Sequence, residues 1–166
     1  MSLQESVSIY VSPALPGMMT SAFVASSVDS NSLAAASPSV SWGDAVFYGT
    51  VPGTVRQAQV GDTLANFAGF VVRNAFQENI AGGGFQYYPG DTLPNMRIGE
   101  MFVPCINDVV PGATTYIILN NADATKIGKL TKTADSTNTL ALDGRFRGIE
   151  ASPAAGGVAK ISLVQA

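Results

Sequence analysis

The sequence predicts an all-β fold, a small β-barrel or β-sandwich (jelly-roll-like) domain carrying an extended N-terminal arm. Three observations lead there. After residue 40 the chain breaks into short β-rich runs separated by Gly, Pro and Asp turns at nearly regular spacing. No stretch after residue 40 carries a convincing helical period. Composition changes near residue 39, which divides the chain into an arm, 1–39, and a β-domain, 40–166.

The arm contains "SPALPGMMTSAFVASSVDSNSLAAASP", residues 12–38, rich in Pro, Ser and Ala without steady periodicity. Leu15, Met18, Met19, Phe23 and Val24 are too apolar for a free disordered tail. An arm ordered by packing on a partner accounts for them, and so does a helix with a linker inside the same domain. On the first reading Leu15, Met18, Met19 and Phe23 are the candidate partner contacts, and removal of residues 1–36 leaves a folded β-domain.

The β-domain opens with "SVSWGDAVFYG", β-rich residues on either side of a Gly-Asp turn or bulge. "GTVPGTVRQAQVGD" offers a Pro-Gly turn and a short strand. "NFAGFVVRNA" holds a compact apolar run of the length of a buried strand. "ENIAGGGFQYYPGD" reads as a long glycine-rich loop. In "YYPGDTLPNMRIGEMFVP", Leu93–Ile98 and Met101–Cys105 read as two strands about a tight turn at Gly99. Met101, Val103 and Cys105 share one face under strict alternation, while Pro94 and Pro104 mark strand edges, ends or bulges. "KIGKLTK" reads as a solvated hairpin, Asp143-Gly144 as a hairpin or bulge dipeptide. In the last strand Ala159, Ile161 and Leu163 face one side, Lys160 and Ser162 the other.

Composition excludes several functions. The 166 residues are 46% hydrophobic and only 13% charged, about half the usual share of roughly 25%. A surface so poor in charge is ill suited to staying apart from its neighbours, which points to an assembly. The net charge of −3 argues against a nucleic-acid partner, and the lysines of "KIGKLTK" have no aromatic stacking residues beside them. With one cysteine, Cys105, no intrachain disulfide forms. The opening "MSLQESVSIYVSPALPGMM" lacks the basic start and unbroken apolar core of a signal peptide, and no run approaches the ~18 apolar residues of a membrane span.

Catalytic chemistry finds little support. The chain has no histidine, which removes the commonest general base and metal ligand. Cys105, alone on an alternating strand, reads as a small core residue. Asp44, Asp62 and Asp91 each follow glycine and Asp143 precedes one, so turn hydrogen bonding explains them without a site. "AGGG" is no phosphate loop, since neither lysine nor helix start follows. No enzyme activity, metal or cofactor is expected.

From residue 40 the order of motifs resembles the structural cement, or head-decoration, proteins of tailed bacteriophages. "WGDAVFYG" is followed by the apolar strand "FAGFVVRN", then "YYPGDTLPNMRIGEMFV", then "GRFRGIEASPAAGGVAKISL". The resemblance covers roughly residues 40–164 and implies a non-enzymatic virion protein on the outer surface of the head. There it would tie neighbouring major capsid protein subunits together, often as a homotrimer. It carries over no catalytic residue and does not extend to residues 1–39. The competing function is a fibre, tail or adhesin-type module that binds a receptor or glycan. Its only aromatic group is "FQYYPG", where Tyr87 and Tyr88 either stack a sugar or cap the barrel.

Overall fold

The computed structural model describes residues 15–19, 27–73, 86–107, 112–149 and 157–163. Their strands are β1 (Ser27–Leu33), β2 (Val40–Ser41), β3 (Ala45–Tyr48), β4 (Thr54–Gln57), β5 (Phe67–Val71) and β6 (Gln86–Tyr87). After them come β7 (Thr92–Cys105), β8 (Thr114–Ile118), β9 (Leu130–Thr131), β10 (Thr139–Ile149) and β11 (Gly157–Leu163). The only helical turns among the described residues are the 3-10 segments Leu64–Asn66 and Ala124–Lys126. The all-β class read from the sequence is the class observed, and of barrel and sandwich it is the barrel.

Nine strands form one sheet in the order β1-β4-β3-β5-β7-β11-β10-β8-β9, and β7 pairs in addition with β1 and with β9. The order therefore closes twice. One circuit runs β1-β4-β3-β5-β7, the other β7-β11-β10-β8-β9, and β7 is a wall of both. Its first half pairs with β1 from Ser32↔Thr92 to Ser27↔Ile98, and its second half with β11 from Gly99↔Leu163 to Cys105↔Gly157.

The changeover falls at Gly99, where φ is 129°. Here the sequence reading is corrected: "RIGE" does not reverse the chain, and the two expected strands are one. Glycine's freedom at positive φ is used to lead a continuous strand from one circuit into the next. The "KIGKLTK" reading is corrected as well. Instead of a solvated hairpin, β9 pairs with β7 at Cys105↔Leu130 and with β8 at Ile117↔Leu130, and Leu130 is buried. Leu130, set between Lys129 and Lys132, closes the second circuit, and Ile127 packs against the core. Around Asp143-Gly144 the alternative realised is the bulge, since the β10–β8 register shifts between Leu142 and Arg145.

Two apolar clusters fill the circuits. Leu33, Val46, Val55, Ala68, Val71 and Leu93 gather with Val40, Trp42 and Tyr87. Ala45, Phe47, Phe67, Phe70 and Met96 belong instead with Met101, Val103, Cys105, Ile117, Leu130 and Ile161. β3 and β5 thus bury both faces, which is why "FAGFVV" is apolar without alternation. Phe67 meets Phe47 and Phe70 edge-on, with ring centroids 5.6 and 5.4 Å apart. Gly69 (φ 129°) lets β5 press on β7, because a Cβ there would stand 2.4 Å from the Met96 carbonyl oxygen.

β1 lies within the span 1–39, yet it closes the first circuit and buries Leu33. The change of composition at residue 39 is therefore not an end of the sheet.

Candidate functional site

The Gly-Asp steps build one device three times. Ser41 N–H donates to Asp44 Oδ2 (2.8 Å) while Asp44 N–H donates to the Ser41 carbonyl (3.1 Å). Gln59 and Asp62 make the same reciprocal pair at 2.8 and 3.2 Å, Tyr88 and Asp91 at 2.8 and 2.9 Å. In each turn the residue before the aspartate is a glycine at positive φ: Gly43 at 81°, Gly61 at 91° and Gly90 at 93°. The turn needs that backbone, and the carboxylate closes it on the first residue's amide. Turn structure therefore accounts for all three.

Their surroundings differ. Asp62 also accepts from Arg56 Nη1 and Nη2 (2.9 and 2.5 Å) and from Asn66 Nδ2 (2.8 Å). Burial pushes its carboxyl up, but these donors, the Gln59 amide and the Arg56 charge outweigh burial and hold it below the usual range. Asp44 is buried with the Ser41 amide as the one donor to its side chain among the described residues, and burial raises its carboxyl to about 7 against weaker pulls from that amide and Lys129. No group of three or more acidic or cysteine side chains gathers at metal-binding distance among the described residues. Cys105 is 1% exposed in β7, inside the core as the alternation implies.

The four apolar candidates separate. The segment 15–19 lies along β7 at Met101 and Phe102. Gly17 N–H donates to the Phe102 carbonyl, Phe102 N–H to the Met18 carbonyl and Arg73 N–H to the Gly17 carbonyl, each at 2.8 Å. Met19 bridges to Met101 and packs against the core. Leu15 and Met18 stand on the surface, each 38% exposed. Phe23 lies outside the described residues. Of the aromatic pair, Tyr87 is buried and Tyr88 exposed, so the two rings do not form one platform.

Exposed Val28, Val51, Val60 and Leu64 were not legible as surface residues. Val60 and Leu64 sit around the Gly61-Asp62 turn, whose geometry turns them outward. A groove of about 340 Å³ lies beside β8 and β9, lined by Ile106, Ile118, Asn120, Thr131, Asp135 and Asn138 among others. Its polar groups largely serve each other: Asn120 Nδ2 donates to Asn138 Oδ1 (2.9 Å), and Asn138 Nδ2 to Asp135 Oδ2 (3.0 Å). Such a wall fixes a loop and offers no acid–base pair.

Comparison with known proteins gives a consistent result. A family model described as "Structural cement protein (E217 gp24/Pam3 gp6)" matches residues 3–164. No curated protein matches the chain. Among solved structures, a chain of "The capsid of Myoviridae Phage XM1" shares the fold with a TM-score of 0.72 at 17% identity, over 99% of this chain and 99% of that one.

Proposed function

This chain belongs to the structural cement protein family, and from that premise we propose that it binds the outer surface of a tailed-phage head. There it ties neighbouring major capsid protein subunits together, working as a homotrimer. The observation that carries the reading is the extent of the family match, residues 3–164, which takes in both strand circuits and the segment before them. The chain's chemistry supports structural work. Its three Gly-Asp carboxylates are committed to turns, and a chain with only 13% charged residues has a surface that favours lasting contact over free diffusion.

Within this reading Leu15 and Met18 are the contact. They stand exposed on a segment held to β7 by backbone bonds, so docking them costs little further ordering. Burying each is worth roughly 1.5–3 kcal/mol, and repetition around a lattice multiplies the effect. The test mixes purified protein with expanded heads that lack it and measures retention by sedimentation. Wild type is expected to bind in fixed stoichiometry, and the double variant Leu15→Ser, Met18→Ser to melt normally yet be lost from heads. Failure of wild type to bind overturns the cement reading. Normal retention of the variant moves the contact elsewhere on the surface. Light scattering of the free protein decides the trimer, which a monomer would remove.

A further inference from the structure

The Ser41–Asp44 turn stands where the two strand circuits meet. Gly43 N–H donates to the Val71 carbonyl (2.8 Å) and Val71 N–H to the Asp44 carbonyl (2.9 Å), which clamps the turn to the end of β5. Ala45 N–H donates to the Gly128 carbonyl (2.8 Å), which ties β3 to the turn before β9 in the other circuit. The packing allows no slack. A Cβ on Gly43 would stand 2.6 Å from Pro104 Cδ in β7 and 3.0 Å from the Gly17 nitrogen, and one on Gly128 would stand 3.3 Å from Asp44 Cβ.

Into this seam the chain places an ionisable side chain. Asp44 is 5% exposed, and its Oδ1 has no hydrogen-bond partner among the described residues. Asp62, in the same turn motif and 6% exposed, has Arg56 and Asn66 to satisfy it. The charged groups around Asp44 are few. Lys129, from the turn before β9, acts on it through space without forming an ion pair. On that same turn Lys126 is engaged by Asp123 at 3.6 Å. At the end of β5 the Arg73 guanidinium lies 4.8 Å over the Trp42 ring. Pro104 of β7, and Pro16 and Gly17, bring no charge.

We propose that Asp44 is a proton-operated latch on the seam between the two circuits. Neutral, it lets the turn sit closed on β5 and on the Gly128 carbonyl. When it releases its proton to solvent, the buried carboxylate favours the locally opened turn, where water and Lys129 can reach Oδ1. The direction follows from linkage. The closed turn holds the carboxyl at about 7, against an ordinary value of 3.8 once opened. Closure is thus fully favoured below the ordinary value and weakens as pH rises through the interval, levelling above the closed-state value.

Amide exchange by NMR on the full-length chain tests this, with rates corrected for intrinsic exchange. In wild type the opening seen at Ala45 and Gly43 is expected to grow about tenfold per pH unit between the two values and then level. Asp44→Asn, which keeps an acceptor for Ser41, should remove that slope. Lys129→Met should carry the plateau to higher pH by removing the one charge that favours ionisation. The Ser41 amide shift, reporting on Oδ2, should titrate near neutrality in wild type. An ordinary carboxylate midpoint at Ser41, or equal slopes in wild type and Asp44→Asn, overturns the latch. Should Asp44→Asn fail to fold, the Ser41 titration and its shift in Lys129→Met decide alone: no shift on removing Lys129 also overturns it.

Discussion

A single dipeptide, Gly-Asp, recurs with one geometry and three energetic outcomes. Asp91 sits in a turn and forms no ion pair among the described residues, so Asp91→Asn, which keeps the acceptor for Tyr88 N–H, should change stability by no more than about 0.5 kcal/mol. Asp62→Asn takes the charge from a carboxylate that holds Arg56 by both terminal nitrogens. Solvent around Arg56, whose side chain is 20% exposed, weakens the pair, and a loss of about 1–2 kcal/mol is expected. Urea unfolding of the two variants at neutral pH checks the contrast, and equal losses would contradict it. Of the Gly-Asp carboxyls, the two that are shifted act in separate pH windows. Asp62 lies below its ordinary value of 3.8, so its contribution is present above that value and lost as pH falls through the lower folded one. Asp44 lies above, and its stabilising state is lost as pH rises toward about 7. The turns were legible from the dipeptide because glycine's backbone and aspartate's acceptor act locally. Which of the two buried aspartates lacks an ion-pair partner among the described residues was not, because Gly128 and Lys129 reach Asp44 only through the fold.

At the scale of elements, apolar patterning was the dependable signal. The alternation in β11, and that of Met101, Val103 and Cys105 in β7, matches their burial. The unbroken apolar run of β5 matches a strand buried on both faces. What failed was the meaning of a glycine between two β-rich runs, since Gly99 permits a tight turn and a bend in a continuous strand equally. Only the partners decide: the flanking halves of β7 pair with β1 and β11, not with each other. Glycines at positive φ therefore divide by what surrounds them. Gly69→Ala brings a Cβ to 2.4 Å from the Met96 carbonyl oxygen at the contact of β5 with β7. Backbone there cannot give way without breaking the ladder, so the loss should exceed about 3 kcal/mol. Gly90→Ala also adds a Cβ at positive φ, 93°, but meets nothing within 4 Å. It should cost only the backbone strain, about 1–2 kcal/mol. Midpoints of chemical unfolding at unchanged slope separate the two, and a Gly69→Ala midpoint at or above that of Gly90→Ala would refute the close-approach argument.

For the whole molecule, the sharing of β7 by two closed circuits decides what can be removed. Composition set residues 1–39 apart as an arm, and on that reading removal of residues 1–36 leaves a domain that melts cooperatively. The pairing argues the reverse. Removal takes β1 away, which exposes the β7 edge from Thr92 to Ile98 and withdraws Leu33 from the cluster around Val46, Val55 and Leu93. Leu33 alone is worth roughly 1.5–3 kcal/mol, against a total stability of about 5–15 kcal/mol for a domain. Removal also takes the segment 15–19, with Met19 against Met101. The composition of β1, "SVDSNSL", hid this, since five of its seven residues are polar and only Leu33 is buried. The expected outcome is loss of the cooperative melting transition, read by calorimetry and near-ultraviolet circular dichroism. A truncated chain that melts as sharply as the full length, within a few degrees, would restore the arm as a separate unit. Truncation therefore cannot by itself reveal where the molecule grips a capsid, because it removes wall and grip together. The Leu15→Ser, Met18→Ser pair leaves both circuits whole, and only that comparison reads contact apart from fold.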